Sequence, residues 1–369
     1  MVDPLPGYAL TVEQEDLRQT LRRFLASTTP ESQVRALVDT SSGFDRATWS
    51  RLGAELGVLG LSVAENLGGS GAGLVEQAIA CEEFGRNLFP GPVFGTINLA
   101  IPLLSALEDE SVLPSVISGE RTATVAFPHS SPVMDLSAIT VSQFDGVLNG
   151  QMAQVVDGTT DVLIIAAKRS DDFGLYVVED ADRVELPTLD QTRRQSRVIL
   201  DDVRGIELAT GSDATRAIET ALCAGTALLA AEQVGGAQRL LELCVEYAGT
   251  RWQFGRKIGS FQAIKHRCAD MLVLVEHARS AAYHAVGSLQ TGADDAQLVT
   301  SMAKAICSQA FLSIANSAIQ IHGGIGFTWE HPAHLYLKRA VTDAALLGSA
   351  EVHLDRIASI VLDRPQDTA

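Results

Sequence analysis

The sequence predicts a multidomain α+β protein: an N-terminal α-helical domain, a small middle β domain and a C-terminal helical bundle. Two changes of period carry this expectation. Apolar residues recur every three or four positions over 1–118, give way to short β-branched runs between turn residues over 119–208, and return to helical spacing over 209–369. A hydrophobic content of 46% in 369 residues is ample for a core larger than one typical domain.

In the first part, Thr11-x-x-Gln14 is a capping-box signature, followed by Leu17, Leu21, Phe24 and Leu25 at helical spacing. A second helix is expected over 74–86, where Val75, Ala78, Ile79, Glu82 and Phe84 mix core and surface positions. The GGSGAG stretch at 68–73 follows no strand pattern, so it reads as a flexible turn and not as a dinucleotide loop. In the second part, Asp145-Gly146 is a hairpin signal between apolar runs at 139–144 and 147–148. Further strands are expected at 162–166, 175–178 and 197–200. In the third, Ile258, Phe261, Ile264, Cys268, Met271, Leu272 and Val275 form one buried stripe. Long helices are expected at 213–249, 293–321 and 349–362, with glycine-bearing breaks at Phe254-Gly255 and at 323–326.

Composition removes several functions. The chain carries 28 basic against 45 acidic residues, a formal charge of −17. The Arg22-Arg23 and Arg193-Arg194 pairs are too short to make the basic face that a nucleic-acid partner needs. An anionic ligand must therefore be held by locally placed arginines. The five cysteines show no metal-ligand spacing and read as buried, reduced thiols. No 18-residue apolar run free of charge occurs, so membrane insertion is not expected. The first residues lack a secretory pattern, and a cytoplasmic location is expected.

Two segments hold the chemistry: RWQFGRKIGSFQAIKHRCADM at 251–271 and QIHGGIGFTWEHPAHLYLKRA at 320–340. Arg251 offers a planar fork of donors suited to pyrophosphate oxygens. Phe254 offers a flat apolar surface and Gly255 a tight break. Gln320 is both donor and acceptor, and Gly323-Gly324 lets backbone approach a ligand. Taken singly, Arg251 fits a surface ion pair equally well, and the glycines fit a helix C-cap.

Together with LGLSVAENLGGSGAGLVEQAIACEEFGR at 59–86, these segments resemble the acyl-CoA dehydrogenase family over nearly the whole chain. The first matches the family's arginine, two residues, Phe-Gly, then Gln and Ala-Asp-Met. The second matches its Gln-x-x-Gly-Gly-x-Gly-Phe and the following helix with a late arginine. The resemblance implies a barrel-like middle domain, a C-terminal four-helix bundle, FAD as cofactor, an acyl-CoA substrate and an electron-transfer flavoprotein as acceptor. It also implies that Arg251, Gln253, Phe254, Gln262, Gln320, Gly323 and Gly324 hold the ADP half of an FAD whose ring lies in a neighbouring chain.

The resemblance fails at the reaction centre. The family's reaction removes an α-proton while hydride leaves the β-carbon for the flavin, which needs a carboxylate base. One family position for that base falls on Leu347, within Leu346-Leu347-Gly348-Ser349; the other falls on Gly225-Thr226. Losing a general base costs roughly 10²–10⁴-fold in rate. Glu219 and Glu351, candidates for a displaced base, read as solvated helix residues, and Glu232 as part of a helix–helix contact. The family's flavin-cradling loops are altered too. FPHSSPVMD, with His129, stands at 127–135, and Gln154 and Val156 replace the aromatic wall and hydroxyl at 151–158.

Residues serving the chain's own flavin and base are thus missing, while residues serving a neighbour's FAD remain. The resemblance accordingly implies the supporting subunit of a heterotetramer with a paralogous catalytic acyl-CoA dehydrogenase. Such an assembly would act in β-oxidation on a fatty-acyl or bulky steroid side-chain CoA thioester. The alternatives are an active homo-oligomer with an unrecognised base, a non-enzymatic structural subunit, and a flavin monooxygenase-like relative.

Overall fold

The computed structural model describes residues 10–127, 136–170 and 172–362. The first part holds α1 (Val12–Thr28), α2 (Glu31–Val38), α3 (Arg46–Ala54) and α4 (Leu74–Asn87). A π-helical run, Val93–Ala100, then continues into α5 (Ile101–Ala106), and α6 (Leu113–Ile117) follows. The capping box forms as expected: Gln14 N donates to Thr11 Oγ1 at 3.3 Å, and Thr11 N to Gln14 Oε1 at 3.0 Å. The GGSGAG turn is pinned down by its backbone, with Ser70, Gly71 and Gly73 N–H groups donating to Gly60, Val63 and Leu61 carbonyls.

Helix α4 departs from the expected mixture of core and surface, because residues 77–85 are all buried. The two glutamates of this stretch, Glu82 and Glu83, go inside paired. Glu82 accepts from Arg18, Arg279 and Tyr283, and Glu83 takes a two-pronged contact from Arg22 at 2.6 and 2.9 Å. These partners supply the compensation that a buried carboxylate requires.

The second part is one eight-stranded sheet, made of β1 (Ala123–Ala126), β2 (Ser142–Phe144), β3 (Val147–Val156), β4 (Val162–Lys168), β5 (Phe173–Val178), β6 (Asp182–Leu186), β7 (Gln195–Arg204) and β8 (Ile206–Thr210). The order is β6-β7-β3-β2-β4-β5-β8, with β1 parallel to β4. Among the described residues its edges, β6 and β8, do not pair with each other, so the barrel-like module is open there. Asp145 (φ 49) and Gly146 (φ 75) both turn left-handed and place Phe144 opposite Val147, the geometry of a two-residue type I′ hairpin.

The third part comprises α7 (Gly211–Thr250), a two-residue hairpin of β9 (Trp252–Gln253) and β10 (Arg256–Lys257), α8 (Gln262–Thr291), α9 (Ala296–His322), α10 (Ala333–Ala345) and α11 (Ala350–Leu362). Helix α9 is central and packs on the other four. The stretch Ala296–Phe327 is long and apolar enough to cross a membrane, but 67% of its most apolar window is buried inside the protein, as a core helix requires. The expected stripe on α8 holds at Met271 and Val275, whereas Leu272 is half exposed beside the exposed Val273. Leu272 lies about 100° around the helix from Met271, off the line through Val275 and Ala278.

Helices α4 and α7 meet backbone to backbone. A Cβ at Gly235 would overlap the Glu82 carbonyl oxygen, and one at Gly85 the Glu232 carbonyl oxygen. Gly235→Ala is therefore expected to cost about 1–3 kcal/mol in urea unfolding, whereas Gly249→Ala, with open space around it, should cost none.

Candidate functional site

The two motif segments leave the same end of the bundle. Helix α7 closes with Arg251 N donating to Tyr247 O at 2.8 Å, and Ile258 N donates to Arg251 O at 2.9 Å to close the β9–β10 hairpin. The expected helix break is the turn of this hairpin, with Phe254 at φ 53 and Gly255 at φ 75. Helix α9 ends at Gly323, whose φ of 63 reverses the chain into a 3₁₀ turn, Gly323–Phe327. The Tyr247 ring meets the His322 ring with centroids 4.6 Å apart, which brings the two segments together.

All seven expected ligand residues are exposed: Arg251, Gln253, Phe254, Gln262, Gln320, Gly323 and Gly324. Among the described residues, no side-chain hydrogen bond or ion pair engages Arg251, Gln253, Gln262 or Gln320. The ion-pair reading of Arg251 therefore finds no partner among the described residues. Gly323 does serve as a helix cap, and it and Gly324 also have open space where a Cβ would stand. Phe254 is 89% exposed and touches Phe261 edge-on at 6.1 Å, and the Arg256 guanidinium stacks 3.9 Å over Phe261. Trp252, Phe327 and Trp329 are exposed on the same two segments. Large aromatics and polar groups without partners are thus exposed together on these two segments, a composition suited to recognition.

The base positions are closed. Leu347 is fully buried, in a left-handed conformation (φ 57). His353 Nε2 donates to its carbonyl at 2.9 Å, and the buried Lys304 ammonium donates to Gly348 O at 3.1 Å and Asp343 O at 3.0 Å. Gly225 faces the π-helical run so closely that a Cβ would stand 2.8 Å from Asn98 O and 2.9 Å from Leu99 Cδ2. No carboxylate occupies either position. Glu219 and Glu351 lie exposed on α7 and α11. In the altered flavin loop, residues 128–135, His129 included, fall outside the described residues. Val156 is buried in the core, and Gln154 donates to Gln195.

Glu232 has a role that spacing did not reveal. It lies in a buried ionic junction between α7, α10 and the loop before β7. Both Arg193 and Arg339 donate to its Oε1; Arg339 also meets Asp190 Oδ2 at 2.5 Å and Thr192 Oγ1 at 2.6 Å. The neighbouring Arg194 reaches the opposite way, to the Val38, Thr40 and Ser41 carbonyls after α2. The Arg193-Arg194 pair therefore fastens the sheet to both helical parts.

Two guanidiniums balance two ionised carboxylates here. Burial works against Asp190 and Glu232, yet the arginines hold both below their ordinary values. Asp343 and Asp157 are surplus. Burial pushes Asp343 up to about 7 and Asp157 up to about 6, despite Arg193 Nε standing 3.5 Å from Asp343. Asp343 thus keeps its proton to higher pH folded than unfolded. The wild type should lose stability relative to Asp343→Asn as pH rises from about 4 to 7, levelling above that, by on the order of 3 kcal/mol. Paired urea titrations at pH 4 and 8 check this. Asp343 faces the junction arginines, which makes it a structural acid and not a displaced base.

Comparison with known proteins agrees with this architecture. Residues 11–120 match the acyl-CoA dehydrogenase N-terminal domain and residues 215–362 the acyl-CoA dehydrogenase C-terminal domain. The chain is 35% identical to acyl-CoA dehydrogenase IpdE2 of Mycobacterium tuberculosis over 96% of its own length and 98% of that protein. Among solved structures it is similar to the Tcur3481-Tcur3483 steroid ACAD (TM-score 0.84, 27% identity, 95% and 98% of the two chains). It is likewise similar to the ChsE4-ChsE5 complex from Mycobacterium tuberculosis (TM-score 0.84, 26% identity, 97% and 100%). The chain belongs to the acyl-CoA dehydrogenase family, whose members are FAD-dependent oxidoreductases.

Proposed function

We propose that this chain is the supporting subunit of a cytoplasmic heterotetrameric acyl-CoA dehydrogenase, holding the ADP half of an FAD whose ring reacts in a paralogous catalytic subunit. The observation that carries the reading is an asymmetry. The seven clamp residues stand exposed at one end of the bundle, four of them (Arg251, Gln253, Gln262 and Gln320) with no side-chain partner among the described residues, while Leu347 is buried and Gly225 is wedged against Asn98. The FAD fit is accordingly one-sided. Arg251 would meet the pyrophosphate as a charged donor, Gln253, Gln262 and Gln320 would hydrogen-bond the ribose or phosphates, Phe254 would cover an apolar face, and Gly323-Gly324 would admit close backbone approach. The chain's own flavin side, with Val156 in the core and Gln154 tied to Gln195, does not fit a ring.

When bound, FAD supplies the hydride acceptor, and the partner would supply the carboxylate that takes the α-proton. Two similar solved structures are two-component assemblies by name, one of them a steroid dehydrogenase, which supports a paralogous partner and a bulky, steroid-derived acyl-CoA. An electron-transfer flavoprotein would reoxidise the cofactor. The test is acyl-CoA oxidation by the chain alone and with a paralogous acyl-CoA dehydrogenase from the same organism. Turnover only by the mixture is expected; turnover by the isolated chain would sink the supporting role.

A further inference from the structure

The clamp has two arms from segments about seventy residues apart, and something must fix their spacing. Three rings stand between them. The Tyr247 ring, four residues before Arg251, lies against His322, immediately before Gly323, at 4.6 Å and 36°. The other neighbour of His322 is His331, with centroids 4.1 Å apart, and Tyr247 and His331 are 6.5 Å apart edge-on. Each of the three residues is also anchored at its own element, the histidines through their rings and Tyr247 through its backbone. The Tyr247 carbonyl closes α7 by accepting from Arg251 N. His322 Nδ1 lies 2.8 Å from Ala318 O, which can only accept, so Nδ1 carries the proton. His331 Nδ1 accepts from Ala333 N at 3.2 Å, at the start of α10.

Building on the clamp reading, we propose that Tyr247, His322 and His331 are positioning residues for FAD: a ring wedge that sets the distance between the Arg251–Gln262 arm and the Gln320–Gly324 arm. None of them needs to touch the cofactor. Burial pushes both imidazoles down, His331 to about 4, so the stack is uncharged at neutral pH and the two rings can approach without repulsion. The wedge acts by preorganisation. With the arms already at the right separation, the cofactor does not have to order them as it binds.

The test uses the complex with the catalytic partner and measures FAD affinity for Tyr247→Leu, Tyr247→Phe, His331→Ala and Arg251→Ala. Tyr247→Leu should weaken FAD binding about tenfold, roughly the ordering of two or three side chains. Tyr247→Phe keeps the ring and should bind as the wild type. Because the arms serve only the ADP half, competition by free ADP should weaken in parallel, a change that a general loss of stability would not produce selectively. If Arg251→Ala weakens binding and Tyr247→Leu does not, the wedge is wrong and the clamp stands. If neither matters, the clamp itself is wrong and the wedge falls with it. Should Tyr247→Leu fail to assemble, His331→Ala decides: weaker FAD binding supports the wedge, unchanged binding overturns it.

Discussion

Replacing Arg339 with methionine is expected to destabilise the chain by about 3–5 kcal/mol, among the largest effects available from a single side chain. Arg339 is fully buried and serves Asp190, Glu232 and Thr192 at once. Its removal leaves one guanidinium, Arg193, against two ionised carboxylates in a medium that cannot solvate them. Either a carboxylate must take up a proton or the loop before β7 must leave α10. Adding Asp190→Asn to Arg339→Met should restore part of the loss, because it removes the stranded charge. Urea unfolding of the two variants checks this. A loss below about 1 kcal/mol for Arg339→Met would mean the junction is far better hydrated than its burial indicates.

Arg251→Ala should do the reverse. Arg251 makes no side-chain hydrogen bond or ion pair among the described residues, so folding stability should move by less than about 0.5 kcal/mol. In the assembled complex, FAD affinity should fall about tenfold to a hundredfold, the range for losing a charge-assisted contact worth about 1.5–3 kcal/mol. Flavin fluorescence on dilution of the complex measures it. The partner's own activity at saturating FAD should be largely kept, because the substituted residue lies away from the reacting ring.

What the sequence made legible was local. The capping box at Thr11, the hairpin at Asp145-Gly146 and the long helices of the bundle each depend on residues within a turn or two of one another. Features set by distant partners were not legible. Glu82 sits in the core because Arg279, almost two hundred residues later, reaches it, and nothing near Glu82 signals that. The Arg193-Arg194 pair looked like a short basic patch and proves to be a two-way fastening. Leu272 was assigned to the core stripe by spacing alone, although it lies about 100° around the helix from Met271 and is half exposed.

The site divides the same way. Motif spacing picked out the proposed clamp residues, but only the structure shows that Arg251, Gln253, Gln262 and Gln320 have no side-chain partner among the described residues and that Tyr247 and His322 bring the two segments together. Substitution patterns flagged Leu347 and Gly225 as missing bases; the backbone contact at Asn98 and the buried, left-handed Leu347 show why a carboxylate does not fit there as folded.

On the proposed reading, one FAD is completed by two different chains. The most direct measurement is the flavin-to-chain ratio, by absorbance together with light-scattering mass, for the chain alone and for the complex co-expressed with its catalytic paralogue. Little or no FAD is expected on the isolated chain, and one FAD per pair of unlike chains in a heterotetramer. One FAD for every copy of this chain purified alone would contradict it.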